Sequence, residues 1–245
     1  MKKLFSLTKR NMKEMLRDPL SLVFCLIFPL VMLVLMQLIF TSFQPAPTNF
    51  KIESYASGIC VFGYTFIGMF VSLQIAGDKN TSFIKRLNIA PINKFTYYSS
   101  FVCSALPLAV MQTGLFMLVA LIFKFPFNIN FLLTILHLIP SALLYICLGI
   151  MIGIICSNEK QTGPISSIFI SLVGILGGVF MPLNGLSKSF STFVNILPFS
   201  HSVSIASDLH TLGAGAIYPH VLYLLLYTAI FVVVSVIIEK IRAKK

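Results

Sequence analysis

The stretch LSLVFCLIFPLVMLVLMQLIF, Leu20 to Phe40, carries no charged residue and is long enough to cross a membrane as one helix. An α-helix rises about 1.5 Å per residue, so the ~30 Å hydrocarbon layer takes about 20 apolar residues. A helix also satisfies its own backbone donors and acceptors, which lipid cannot do. Five further stretches share this character: Tyr55 to Ala76, Phe95 to Phe123, Phe131 to Cys156, Pro164 to Leu183 and Ala216 to Ile238. The reading is an all-α integral membrane protein with six transmembrane helices, residues 19–245 forming a single membrane-spanning domain. Pro29, Pro107 and Pro140 fall inside spans, where the missing N–H can kink a helix.

Composition agrees. The chain is 57% hydrophobic and 10% charged, with mean hydropathy +0.94, against roughly 25% charged residues in soluble domains. Of the 18 Lys and Arg residues, all but Lys51, Lys124 and Lys188 fall in the termini and alternate loops that one membrane face would collect. Basic residues in short loops stay on the cytoplasmic side, so both ends of the chain are expected in the cytoplasm. The formal charge of +11 is dispersed over helix ends rather than gathered into a stripe with stacking aromatics. It therefore fits anionic membrane lipid and not nucleic acid. The five cysteines, Cys25, Cys60, Cys103, Cys147 and Cys156, lie within apolar segments without paired metal spacing and read as small buried hydrophobes. An 18-residue polar lead precedes the first apolar run, and no small-residue exit follows it, so the first segment is expected to stay as an anchor.

Residues 1–18 form a lead with helical periodicity. At 100° per residue Leu4, Phe5, Thr8, Met12, Met15 and Leu16 share a face, while Lys2, Lys3, Lys9, Arg10, Lys13 and Arg17 lie opposite, with Leu7 the exception. Such a helix is expected to lie in the cytoplasmic interface, its apolar side in the membrane and its basic side toward headgroups. Between the fifth and sixth spans, Ser189 to Leu209 is apolar enough to suggest another crossing, with Asp208 its one formal charge. An extra crossing would place the basic tail outside. Pro198, the serines and His201 also suit lipid poorly, so a re-entrant or outer helical element is expected there.

The loop at about residues 77–94 carries the pattern most relevant to function. In Gly77-Asp78-Lys79-Asn80-Thr81-Ser82-Phe83-Ile84-Lys85-Arg86-Leu87-Asn88-Ile89-Ala90-Pro91, a cap at Asp78, Asn80 or Thr81 and a stop at Pro91 define a short helix. Phe83, Ile84, Leu87 and Ala90 share one face, and Lys85 and Arg86 project elsewhere. A helix this short is marginal alone and needs a surface to dock on, either the bilayer or a cytoplasmic partner.

This loop resembles the segment between the second and third spans of type-2 ABC exporter permeases, through Asp78, Lys79, Thr81, Arg86, Leu87 and Pro91. Asp78 and Asn80 depart from the Glu and Gly common there. A second likeness lies in Gly177-Gly178-Val179-Phe180-Met181-Pro182-Leu183 followed by Leu197-Pro198-Phe199-Ser200-His201, which is similar to the outer part of the family's fifth span and its re-entrant pair. The likeness covers nearly the whole chain. It implies a permease domain that works as a dimer, with a second copy or a paralogue, and with cytoplasmic ABC ATPase subunits. It implies that Asp78, Lys79, Thr81, Phe83, Ile84, Arg86, Leu87 and Pro91 belong to an ATPase-coupling helix seated in a groove of the ATPase. Gly178, Pro182, Leu197, Pro198 and His201 would belong to the outer element. ATP and Mg would sit on the partner subunit, with no cofactor, metal or catalytic residue on this chain. The expected setting is a bacterial cell membrane, and the expected cargo a hydrophobic or amphipathic compound moved outward.

Independent chemistry points the same way. Ion-coupled carriers need ionisable groups at membrane depth, whereas the span interiors offer only Gln37, Gln74, Gln112 and His137 as strongly polar candidates. The sequence has no G-x-x-x-x-G-K-[ST] phosphate loop. Two alternatives stay open. An ion-coupled secondary carrier would need a midplane site made by paired helix interruptions. A membrane-embedded enzyme would need His137, His201, His210, His220, Asp208 and Glu159 to assemble a site, although they form no H-E-x-x-H motif. The outer histidines read as polar anchors and Asp208 as an outer-loop residue. Tyr97, Tyr98, Tyr218 and Tyr223 sit where an interfacial aromatic belt falls, and Gly149 and Gly153 form a G-x-x-x-G that permits close helix approach, within the chain or across a dimer.

Overall fold

The first span begins where Asp18 caps it. Its carboxylate accepts from Leu20 N at 3.1 Å and from Ser21 Oγ at 2.5 Å, and Pro19 takes the first helical position, where no N–H is needed. In the computed structural model, which describes residues 2–42, 52–90, 92–180 and 187–243, the regular structure is entirely helical. α1 (Lys2–Arg17) precedes this span, which is composed of α2 (Pro19–Leu22), a π-helical turn (Val23–Ile27) and α3 (Phe28–Thr41). The π turn lies just before Pro29, whose ring cannot tolerate the regular carbonyl four residues back, and the wider turn absorbs the misfit. α4 (Ile52–Asp78), α5 (Ser82–Ile89), α6 (Lys94–Ile122), α7 (Ile129–His137), α8 (Ile139–Ile155) and α9 (Glu159–Leu176) follow. α10 (Lys188–Ile196), α11 (Pro198–Thr211) and α12 (Tyr218–Ala243) complete the chain.

Among the described residues five helical segments are long and apolar enough to cross a membrane: Pro19–Thr41, Tyr55–Asp78, Lys94–Ile122, Ile129–Ile155 and Gly215–Arg242. Six were expected. The element read as the fifth is a helix, but α9 opens with Glu159, Lys160, Gln161 and Thr162, and these polar first turns dilute an otherwise apolar segment. Pro164 sits inside α9 instead of starting it, and the expected end of that span, including Pro182, lies outside the described residues. The three prolines noted in the sequence act differently. Pro107 is carried within a continuous α6, whereas Pro140 follows a break at Leu138 that separates α7 from α8.

α4 and α8 form the buried axis of the bundle. They meet through glycine: a Cβ on Gly149 would lie 2.1 Å from the Gly68 carbonyl oxygen, and one on Gly68 would lie 2.4 Å from the Tyr145 carbonyl oxygen. A Cβ on Gly153 would lie 2.8 Å from Ile75 Cβ and 3.0 Å from the Ser72 carbonyl oxygen. Gly149 and Gly153 are thus used for approach within the chain, which leaves them no room for a dimer contact. Around this pair, α6, α9, α11 and α12 pack with sparse polar links, Ser72 Oγ to Ser166 Oγ at 3.1 Å, Tyr145 OH to Ser202 Oγ at 2.9 Å, and Tyr64 to Thr113. The first and last spans stay largely exposed on their outer faces, through side chains such as Val31, Leu35, Leu222 and Val233. Their uniform apolarity is what lipid contact requires.

Candidate functional site

α4 ends at Asp78, and a tight turn leads into α5. Asn80 N donates to Gly77 O at 3.2 Å, and Thr81 donates to Asp78 O through both N, at 3.0 Å, and Oγ1, at 2.7 Å. Thr81 occupies the N-cap position in extended conformation without a side-chain cap bond. At the other end Ala90 N donates to Arg86 O at 3.0 Å. Pro91, expected as the stop, lies outside the described residues.

Asp78 is the centre of this end of the molecule. Arg10 of α1 donates through Nη1 and Nη2 to its two oxygens, each at 2.6 Å, and Tyr97 OH of α6 donates at 2.7 Å. The Asp78 side chain is only 6% exposed and that of Arg10 27%, so the pair is largely withdrawn from water. Arg10 also lies 4.0 Å over the Phe83 ring, adding a cation–π contact to α5. Burial alone would weaken the Arg10 charge, but the hydrogen bonds and charge of Asp78 outweigh it and raise its pKa. One carboxylate thereby ties α1, α4, α5 and α6 together. Asn11, fully buried, adds a bond from Nδ2 to Ser100 Oγ at 2.8 Å.

These contacts revise three expectations. α1 is a helix as expected, but its buried residues are Leu7, Asn11 and Met15, so the exceptional Leu7 lies on the packed face while Phe5 and Leu16 stay exposed. Arg10, expected toward headgroups, turns into protein. Tyr97 and Tyr98 act as polar pins and not as belt residues, Tyr98 OH donating to Glu239 Oε2 at 3.0 Å. Tyr218 and Tyr223 remain exposed.

The two faces of α5 separate as the periodicity indicates, but their surroundings differ from expectation. Leu87 is buried, Phe83 and Ile84 are partly buried against the chain's own core, and Phe83 faces Tyr97 with ring centroids 6.4 Å apart. Lys85, Arg86 and Ile89 point outward, Ile89 with 87% of its surface exposed. The apolar face expected to dock on the bilayer or on a cytoplasmic partner is therefore packed, in part, against the chain's own core.

Lys79 has a role that no pattern in the sequence signals. Its Nζ donates to Gly153 O, Ile154 O and Cys156 O at 2.6, 2.7 and 2.5 Å. Arg242, at the end of α12, donates to Ile154 O and Ile155 O, each at 2.5 Å. The last carbonyls of α8, which have no partners within the helix, are thus satisfied by two cations at the negative end of the helix dipole. Burial lowers the Lys79 pKa to about 8, with Arg242 adding to the effect and Glu239 opposing it. Glu239 in turn accepts from Lys94 Nζ at 2.6 Å, joining α12 to α6.

At the opposite end, α10 and α11 form the expected pair of helices. They break at Leu197, in extended conformation, and Pro198 starts α11. Gly178 has a φ of 77°, a left-handed value that favours glycine, and the chain folds back so that Phe180 N donates to Gly174 O at 3.2 Å. His201 stacks on Tyr223 at 4.5 Å and lies in a line of contacts. Its Nε2 is 2.8 Å from Asn195 O, its Nδ1 is 2.7 Å from His220 Nδ1, and His220 Nε2 is 2.8 Å from Asp208 Oδ2. Because a carbonyl only accepts, Nε2 of His201 carries the proton in that bond, and the two facing Nδ1 atoms share one more. Burial lowers the His201 pKa, the Asn195 bond opposing and His220 adding to the shift. Asp208 is a helix residue paired with histidine and not a loop residue, and the side chain of His210 lies outside the described set. Among the described residues no three His, Cys, Asp or Glu side chains converge as a metal site.

The order of these parts matches a known family. The family model for ABC-2 type transporters matches residues 2–210, well over half of the chain. The chain belongs to the ABC-2 type transporter family. Its spans constitute the family's membrane, or permease, domain, and it is a multi-pass membrane protein. The permease domain is also 25% identical over 177 residues to ABC transporter G family member 20 of Dictyostelium discoideum. That similarity covers 71% of this chain and 24% of the relative, so the chain spans about a quarter of the relative's length.

Proposed function

We propose that this chain is the permease subunit of an ATP-driven exporter, with α5 and both termini in the cytoplasm and a separate ATPase subunit, carrying ATP and Mg, seated on α5. The observation that supports this most is the fastening of α5. A short helix can pass force to the spans only if it is fixed to them, and Arg10, Asp78, Tyr97 and Phe83 provide that attachment. The outward face of Lys85, Arg86 and Ile89 remains for the partner. In this reading α9 supplies the fifth of six spans, and the outer pair α10 and α11 lies re-entrant on the far side.

Energy from another polypeptide fits the polar residues at membrane depth. Gln112 Nε2 donates to Cys60 O at 3.3 Å, Gln74 Nε2 to Glu14 at 3.3 Å, and His137 Nδ1 sits 2.7 Å from Leu133 O. These are local contacts and do not form a relay. The exposed faces of α3 and of α12 within the span are apolar, which suits lipid, a second permease copy or paralogue, and a hydrophobic or amphipathic cargo. The test is co-purification. The wild-type chain should retain an ATP-binding-cassette subunit, and Arg86→Glu with Ile89→Asp should release it without altering the melting of the permease. Sustained uphill flux in ATP-depleted vesicles under an ion gradient would overturn the reading.

A further inference from the structure

Beyond the coupling site, the basic end holds a groove of about 360 Å³ between α6, α8 and α12. Its floor and walls are largely apolar, formed by Val102, Cys147, Ile150, Val232 and Val236. Its charged groups, Lys94, Glu239 and Lys240, collect with Asn93 in a rim at one end, while Ser99 and Ser235 are small polar groups on the walls. The volume falls at the small end of the ~300 to 1,000 Å³ usual for ligand sites, and the gathering of its charged groups at one end defines which way a ligand would point.

Depth and charge narrow the occupant. From Lys240 to Val232 the groove follows α12 for eight residues, and from Lys94 to Val102 it follows α6 for the same number. At 1.5 Å per residue each wall is roughly 12 Å deep, close to the ~15 Å that one leaflet contributes to a ~30 Å hydrocarbon layer. The groove therefore runs along the helix axes for about the depth of one acyl chain. Val232, Val236 and Phe95 on its lips are exposed, so it opens toward the lipid side and is not sealed within the core. At the rim Glu239 is already neutralised by Lys94 at 2.6 Å, whereas Lys240 takes part in none of the ion pairs among the described residues. Lys79 and Arg242, both bound to the carbonyl of Ile154 in the groove wall, add positive charge behind it.

We infer that this groove is a resident site for one anionic phospholipid of the cytoplasmic leaflet, its acyl chain between α6, α8 and α12 and its phosphate at Lys240. The site stands whether or not the chain works as an exporter; it needs only the basic end to face that leaflet. A bound lipid would fill the space between α6 and α12 below the Lys94–Glu239 pair and so brace the last span against the bundle.

The test uses the full chain, equilibrated in nanodiscs of phosphatidylglycerol and phosphatidylcholine in equal parts, released into mild detergent and weighed by native mass spectrometry. One phosphatidylglycerol per chain should be retained, about tenfold over phosphatidylcholine. Val232→Phe and Val236→Phe, which fill the groove from its exposed lip, should each lower occupancy about tenfold. Val233→Phe, on the same helix outside the groove, should behave as wild type. Lys240→Glu, a surface change that leaves the walls intact, should erase the preference for phosphatidylglycerol. Equal retention by Val236→Phe and Val233→Phe would mean annular lipid only and would overturn the proposal, as would equal binding of the two lipids by the wild-type chain. A change of oligomeric mass in Val236→Phe with lipid content unaltered would make the groove a protein interface and overturn it equally.

Discussion

Replacing Asp78 by Asn keeps the side-chain shape and removes its charge, which tests the fastening of α5 directly. Three donors meet the carboxylate, two from Arg10 at 2.6 Å and one from Tyr97 at 2.7 Å. An amide can accept with only one oxygen, so one guanidinium bond is lost and the cation stays behind. Removing one partner of a buried ion pair costs about 3 to 5 kcal/mol. Arg10 remains 27% exposed and keeps Glu14 at 2.8 Å, and this residual solvation and pairing reduce the figure to about 2 to 3 kcal/mol. For a chain of this length each kcal/mol moves the melting midpoint by roughly 2 to 4 °C, giving a fall of roughly 4 to 12 °C. Cys25, Cys60, Cys147 and Cys156 are buried, so a thiol-reactive dye reports the unfolding of the purified chain in detergent. Arg10→Met should lower the midpoint similarly. The double variant should lose less than the sum, by roughly 1 to 2 kcal/mol, because either change alone already breaks the pair. Strict additivity, or Asp78→Asn melting within about 0.5 kcal/mol of wild type, would refute the claim that this pair holds the two helices.

Four other outcomes follow from the geometry. Gly149→Ala places a Cβ against the unyielding Gly68 carbonyl and should cost about 3 kcal/mol, whereas Gly114→Ala, with nothing within 4 Å of its new Cβ, should stabilise by roughly 0.5 to 1 kcal/mol; the same melt checks both. Leu87→Asp buries a charge and should destabilise the permease itself, whereas Ile89→Asp should leave its melting unchanged and weaken only capture of the ATPase subunit, measured by co-purification. Lys79 has a pKa of about 8, lowered from its ordinary 10.5 by burial and by Arg242. Between those values the unfolded chain carries a proton that the folded chain has released, so this residue makes stability rise with pH across that window, and Lys79→Met should flatten the rise in a pH series of melts. Asp208→Asn removes the acceptor at the far end of the histidine line, and the ring-nitrogen NMR signals of His201 and His220 should shift together if the line is continuous.

Much of this architecture was legible because a span is defined by length and apolarity alone. Leu20 to Phe40 reads as a crossing whatever surrounds it, and the helix found there starts at Pro19, one residue earlier. The two-faced character of α5 was legible for the same reason, since it depends on residues three and four apart. What those faces touch was not. Phe83 and Leu87 read as an unsatisfied apolar surface until Arg10, more than seventy residues earlier, is placed over Phe83. Asn11 has no apolar signature, yet it is buried because Ser100 supplies its partner. The fifth span was legible only in part, because its helix begins with Glu159, Lys160 and Gln161 ahead of Pro164, and its expected end lies outside the described residues.

The charges at the basic end carry the larger lesson. In sequence they serve only to orient insertion, and for Lys2, exposed on α1, that reading needs nothing more. The acidic residues among them separate orientation from construction. Acidic residues contribute little to orientation, yet Asp78 and Glu239 each meet a cation from a different helix, and Glu14 meets the same arginine that holds Asp78. Near the membrane boundary a charge cannot count on full hydration, so an acidic residue kept there needs compensation, from backbone and hydroxyl donors at Asp18 and from a base at Asp78 and Glu239. That base is then a structural residue and not a spare topology signal. Arg10 and Lys94 are identified in this way, and Lys79 and Arg242 by the helix end they cap. Truncating any of these four side chains should loosen the bundle, whereas truncating Lys2 should alter insertion alone.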